Sequence, residues 1–117
     1  MKRAKIASIY DKNLPLKDVI IPRKRKNSSH VYHLYVIRCK KRDKLLAYLK
    51  KNRVFAGIHY PIPIHKQKSY KKNNYDNLVQ TEVTAKNILS LPIYPEISKK
   101  MIEHVSLEIN KWIIKNS

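Results

Sequence analysis

At 117 residues and 13.9 kDa the chain is the size of one domain, long enough to bury roughly two thirds of the surface its unfolded form exposes, and its 43 % hydrophobic content argues against disorder. No apolar run approaches the about 20 residues of a membrane span, the opening MKRAKIASIYDKN lacks the apolar core of a signal peptide, and a lone cysteine, Cys39, excludes an internal disulfide and a thiolate-rich zinc site. A cytoplasmic protein is expected, and the net charge of +18 is spread along the chain with abundant Asn, Ile and Tyr, the bias of an AT-rich coding background rather than a focused polyanion site.

Ile6, Ala7, Tyr10 and Leu14 recur three or four apart and predict a helix over 2–14 that Pro15 ends. Val19-Ile20-Ile21 reads as an edge strand stopped by Pro22, followed by the charged loop RKRKNSS. VYHLYVIR, 31–38, is β-branched and aromatic and predicts the central strand, with His33 and Tyr35 as packing residues. Leu45, Leu46 and Leu49 predict a helix from Arg42 or Asp43 to Lys51, with Asn52 as a left-handed C-cap. Val54 to Ile58 reads as a further strand, 66–77 as a loop, and Val79, Val83 and Ile88 as one stripe of a helix over 78–89. After the extended LPIYP, whose Tyr94 is read as packing, Ser98 caps a last helix with the stripe Ile102, Val105, Ile109, Trp112 and Ile113. The sum is an α+β domain over 1–117, a small antiparallel sheet of about three strands backed by helices on one face.

The segment AGIHYPIPIHKQKSY, 56–70, contains the single glycine of the chain. Pro61 and Pro63 fix their own φ and bias the preceding residues toward extended backbone, so Tyr60 to Ile64 is expected to be stiff. Such a segment suits the presentation of His59, Tyr60, His65 and Gln67; the plainer alternative is a structural loop in which Ile62 and Ile64 anchor to the core and the histidines satisfy backbone carbonyls. Gly57 fits a close approach of backbone or ligand. The spacing of His59 and His65 matches no recurring metal set, so no metal is expected, and no nucleophile motif or phosphate-binding glycine loop accompanies them.

HVYHLYVIRCKKRDKLLAYLKK, GIHYPIPIHKQKSY and TAKNILSLPIYPEIS followed by a helix ending in KWI resemble, in order, the C-terminal small domain of the DegT/DnrJ/StrS-type sugar aminotransferases. These are pyridoxal-phosphate enzymes of the aspartate aminotransferase superfamily (fold type I), and the resemblance runs from about Arg3 to Trp112. It implies that 1–17 is the segment connecting to a large domain, and that the Schiff-base lysine, the acid facing the pyridine nitrogen and most of the phosphate cup lie in that domain, expected to be missing before Met1. The chain then reads as a truncated or split C-terminal part of a nucleotide-sugar (keto-sugar) aminotransferase of polysaccharide and deoxyamino-sugar biosynthesis. It is expected to bind no pyridoxal phosphate and to perform no transamination alone, with no catalytic residue of its own. A solvated lysine amine is almost wholly protonated at neutral pH, so Lys66 and Lys68 are not expected to be catalytic. The resemblance implies that His59, Tyr60, His65 and Gln67 face the nucleotide-sugar, with Lys66 and Lys68 adding charge near its diphosphate. A large-domain partner chain or a homodimer is the expected partner, docking on helix 2–14 and the last helix. The alternative is a basic module for nucleic acid or another polyanion, using Arg23 to Lys26, Lys40 to Arg42 and Lys71-Lys72.

Overall fold

A computed structural model describes residues 2–15, 17–73 and 77–117, the side chains of 71–73 excepted. In chain order the elements are α1 (Lys2–Asn13), β1 (Tyr35–Arg38), α2 (Arg42–Lys51), two 3-10 stretches (Ile64–Lys66 and Lys68–Asn73), α3 (Val79–Asn87), β2 (Ile88–Leu91) and α4 (Lys99–Asn116). No helix among the described residues is long and apolar enough to cross a membrane.

The apolar periodicities of the first and last helices place them. Ile6, Ala7 and Tyr10 of α1, with Leu14 beyond it, are buried, as are Ile102, Val105, Ile109, Trp112 and Ile113 of α4. Ser98 caps α4 as its side chain implies: the Met101 N–H donates to Ser98 Oγ at 3.2 Å, satisfying one of the N–H groups that a first turn leaves unpaired. α4 packs against both α1 and α2. Tyr10 and Tyr35 meet in the core with ring centroids 4.9 Å apart; Tyr10 Oη donates to the Pro92 carbonyl at 2.8 Å and Tyr35 Oη to Asp11 Oδ1 at 2.6 Å. Buried aromatic hydroxyls thus each find an acceptor. Burial, joined at Tyr35 by the Asp11 carboxylate, raises both phenols above their ordinary value.

β1 and β2 pair antiparallel with Tyr35 opposite Leu91 and Ile37 opposite Leu89. All four are buried, and the alternate positions, Val36 opposite Ser90 and Arg38 opposite Ile88, take the other face. Single bridges extend this ladder on both sides, Ile20 to Arg38 and Gly57 to Ser90. The expected sheet of about three strands is therefore a two-stranded ladder with two one-residue edges. Pro22, Pro61 and Pro63 offer no N–H with which either edge could run on.

Three expectations are corrected here. The strand at 31–38 begins only at Tyr35, because Tyr32 adopts φ 49° and donates its N–H to His30 Nδ1 at 2.9 Å, turning the chain before the ladder starts; His33 is exposed rather than packed. The helix of 78–89 stops at Asn87. Ile88 is extended (φ −75°, ψ 143°), since Leu89 and Leu91 reach the core by strand alternation, while Val79 and Val83 are exposed. Asn52 is not left-handed (φ −96°); that conformation falls on Arg53 at φ 60°.

Candidate functional site

The HYPIPIH segment leaves the sheet at Gly57, whose N–H donates to the Ser90 carbonyl at 3.0 Å and whose carbonyl accepts from the Ser90 N–H at 2.7 Å. Two residues on, the His59 ring folds back: Nδ1 is hydrogen-bonded to Ser90 Oγ at 2.9 Å, and Ser90 is buried. A Cβ on residue 57 would stand 3.0 Å from His59 Cε1, closer than nearly all real contacts, so glycine here makes room for the imidazole rather than for a positive φ. Gly57→Ala is expected to push the ring aside by a few tenths of an ångström and strain its bond to Ser90, lowering stability by at most about 1 kcal/mol, the worth of a typical hydrogen bond. Chemical denaturation with a side-chain NMR spectrum of His59 checks both effects.

The far end of the segment is pinned by α3. His65 Nε2–H donates to Glu82 Oε1 at 3.1 Å, and Lys66 Nζ stands 3.0 Å from Glu82 Oε2, so one carboxylate holds two successive loop residues. The His65 side chain is 8 % exposed and that of Glu82 27 %. The hydrogen bond from His65, then that from Lys66, draws the Glu82 carboxyl below its ordinary value. A carboxylate depressed in the folded state stabilises above its unfolded pKa, about 4.3 for glutamate, and the contribution is lost as pH falls through the native value. The stability advantage of the natural chain over Glu82→Gln is therefore expected to shrink as pH falls below the unfolded value of about 4.3 and to disappear once the native carboxyl is protonated, measured by urea titrations at stepped pH.

Between these two anchors the backbone bends at Pro61 and Ile62 and closes a 3-10 turn at Ile64–Lys66, so it is less extended than the prolines alone suggest. The alternative that anchors Ile62 and Ile64 to the core is overturned: they are 55 % and 66 % exposed, Tyr60 is 74 % exposed, and both histidines bond side chains rather than backbone carbonyls. Tyr60 stands edge-on to His59 with ring centroids 5.7 Å apart. Gln67 is exposed, with its backbone spent on Ile64 and Tyr70. The four residues thus lie along one pinned segment rather than around a closed cavity, with Tyr60 and Gln67 outward and the His65 side chain nearly covered. Ser90 and Glu82, which fix its ends, are the residues that sequence reasoning missed. Among the described residues no three of His, Cys, Asp and Glu gather to hold a metal ion.

Other surface expectations change. Arg42 is buried and donates to the Ala85 and Ile88 carbonyls at 3.2 and 2.8 Å, which removes it from any polyanion-binding face; the side chains of Lys71 and Lys72 lie outside the described residues. The apolar stripes of α1 and α4, expected to dock a partner, are spent on each other and the sheet. Exposed apolar side chains sit at Phe55, along 60–64, at Leu78, Val79 and Val83, and off the buried stripe of α4 at Met101, Leu107 and Ile114. Tyr94, expected to pack, is 39 % exposed beside Met101.

Residues 1–110 match the DegT/DnrJ/EryC1/StrS aminotransferase family. The chain is 32 % identical over 95 % of its length to dTDP-3-amino-3,6-dideoxy-alpha-D-galactopyranose transaminase of Aneurinibacillus thermoaerophilus, covering 31 % of that protein. Its structure is similar to a DegT/DnrJ/EryC1/StrS aminotransferase from Brucella abortus (TM-score 0.86, 28 % identity, 95 % of this chain and 30 % of that one). It is also similar to NtdA of Bacillus subtilis, solved with bound cofactor PMP (TM-score 0.85, 26 % identity, 97 % of this chain and 28 % of that one). The chain spans about a third of the length of the curated relatives it matches. With the family's three sequence blocks falling on β1 and α2, on the pinned His59–Gln67 segment and on β2 with the start of α4, the chain belongs to the DegT/DnrJ/EryC1/StrS aminotransferase family.

Proposed function

We propose that this chain supplies the small-domain wall of a cytoplasmic keto-sugar aminotransferase, closing over a nucleotide-linked keto-sugar while the cofactor is gripped by the part of such enzymes that the match does not cover. The observation that carries this reading is the segment from His59 to Gln67, whose two histidine side chains are tied to Ser90 and Glu82 while Tyr60 and Gln67 stay exposed. Rigid presentation of polar groups is what a pocket wall needs, because each group already held in place loses less entropy on binding. His59 spends Nδ1 on Ser90 and keeps Nε2; His65 spends Nε2 on Glu82 and keeps Nδ1. His59 Nε2, the Tyr60 hydroxyl and the Gln67 amide are the groups offered most openly to sugar hydroxyls or diphosphate, with His65 Nδ1 nearly covered behind them. The charge of Lys66 and Lys68 favours a diphosphate nearby. In this reading residues 1–17, with α1, connect to the large domain, and contacts with that domain or a second subunit cover the exposed Tyr60, Ile62 and Ile64.

Pyridoxal phosphate, when bound in such enzymes, supplies an electron sink for transamination and needs an available lysine amine, an acid at the pyridine nitrogen and a phosphate cradle. The residues here do not fit that set. Lys66, beside the candidate segment's histidine, is engaged by Glu82, and the described helices begin without a glycine-rich turn. The chain's own part is therefore to bind and orient, and it is not competent alone.

The test is a chimera in which this chain replaces the matching stretch of the Aneurinibacillus transaminase. Tyr60→Ala and Gln67→Ala are expected to raise KM for the nucleotide-sugar about tenfold each, a loss of some 1.4 kcal/mol, with cofactor content unchanged. Unchanged kinetics in both variants of an active chimera would overturn the reading.

A further inference from the structure

A cleft of about 650 Å³ opens on the side of the domain where segment 17–20, the end of β1, α3 and the C-terminal turn of α4 converge. It shares no residue with the His59–Gln67 segment, so it can be tested apart from the role proposed for that segment. Its apolar wall is formed by Val19, Ile20, Val83, Trp112 and Ile113, with Cys39 beside them. Val83 and Ile20 are about half exposed, which leaves apolar surface on this wall without a partner from the chain itself. Burial raises the Cys39 thiol above its ordinary value, so it is an apolar lining group here and not a nucleophile.

The rim has a sign. Lys17, Arg38, Lys40 and Lys41 border the cleft against the Asp18 carboxylate and the terminal carboxylate that the 117-residue chain carries on Ser117. Lys41 donates to the Asn116 carbonyl at 3.2 Å, so it answers the negative end of α4; Lys17, Arg38 and Lys40 enter none of the ion pairs among the described residues. The volume lies in the range of about 300–1,000 Å³ typical of small-ligand pockets, whereas an amphipathic helix, about 10–12 Å across, would overfill it. We propose that this cleft binds a small organic anion with an apolar body, an alkyl or aryl carboxylate, its hydrocarbon against Trp112 and Val83 and its charge met by Lys17, Arg38 and Lys40.

Trp112 is the sole tryptophan and lines the cleft, so its fluorescence reports occupancy. The 117-residue chain is titrated with decanoate, decan-1-ol and decyltrimethylammonium, each below its micelle concentration. The expected result is a saturable change with decanoate about tenfold tighter than with the alcohol, and weaker still with the cation. Val83→Arg, at an exposed position that folding does not need, is expected to abolish the response. The double variant Lys17→Glu, Lys40→Glu is expected to lose the preference for the anion while still taking the alcohol. Equal affinity for the three probes, no saturable response, or a response that survives Val83→Arg would overturn the proposal. So would self-association abolished by Val83→Arg, which assigns the face to a second copy, or binding to anionic phospholipid vesicles without binding of monomeric decanoate, which assigns it to a membrane surface.

Discussion

Ile109→Ala is expected to lower the unfolding free energy by about 2–5 kcal/mol, whereas Leu107→Ala, two residues away on the same helix, is expected to cost less than about 1 kcal/mol. The contrast follows from α4 alone. Ile109 is fully buried on the stripe that packs against α1 and α2, and truncation leaves a cavity whose walls belong to separate elements and cannot all close in. Leu107 is 51 % exposed, so its side chain loses little contact when cut back. Equilibrium urea unfolding followed by the far-UV signal measures both. Equal losses would mean that α4 does not present the face that its apolar periodicity and the structure assign to it.

Arg42→Met is expected to cost about 2–4 kcal/mol, far more than loss of a surface charge, because it strands buried carbonyls. The guanidinium is 7 % exposed and reaches two carbonyls of the α3–β2 junction, those of Ala85 and Ile88, while its Nε donates to Asp43 Oδ1 at 2.7 Å. Methionine keeps the length of the stem but leaves the Ala85 and Ile88 carbonyls without a donor at the end of a helix whose last turn already lacks intrahelical partners. Arg42→Lys is expected to lose an intermediate amount, since one ammonium does not reproduce the forked donor geometry. Glu82 lies one turn earlier on α3, so the same substitution is expected to loosen the His65 end of the site. Urea unfolding gives the first effect and the amide exchange of residues 64–67 gives the second. Stability unchanged in Arg42→Met would return this residue to the solvent-facing basic set.

Much of this fold is legible in the sequence where one signal acts alone. α4 has a serine cap, a long apolar stripe and no competing proline, and its start and its face follow from them. α1 is legible from its apolar stripe and from Pro15 beyond its end, without a capping residue. The junction at Asn87 is not, because Ile88 and Leu89 satisfy a helical stripe and a strand alternation equally well over so short a run, and only pairing with Ile37 and Tyr35 decides between them. The left-handed turn at Tyr32 is hidden too, since an aromatic residue in a β-branched run gives no sign of a positive φ.

For the site, the prolines and histidines identify the segment but not what holds it. Ser90 lies 31 residues from His59, and Glu82 lies 17 from His65. Neither distance has a motif, and each pairing exists only once β2 and α3 are in place. A signal for Ser90 was nonetheless available: a serine among leucines in a buried strand requires a partner on its own face of the sheet.

The central claim, that this chain builds a rigid wall and leaves the gripping of pyridoxal phosphate to other residues, is tested most directly by a single trapping measurement. The purified 117-residue chain is incubated with pyridoxal phosphate, reduced with borohydride, digested and mapped by mass spectrometry. The account predicts sparse labelling spread over exposed lysines in proportion to their accessibility, with no internal-aldimine absorbance band before reduction. A stoichiometric adduct on one defined lysine, accompanied by such a band, would contradict it.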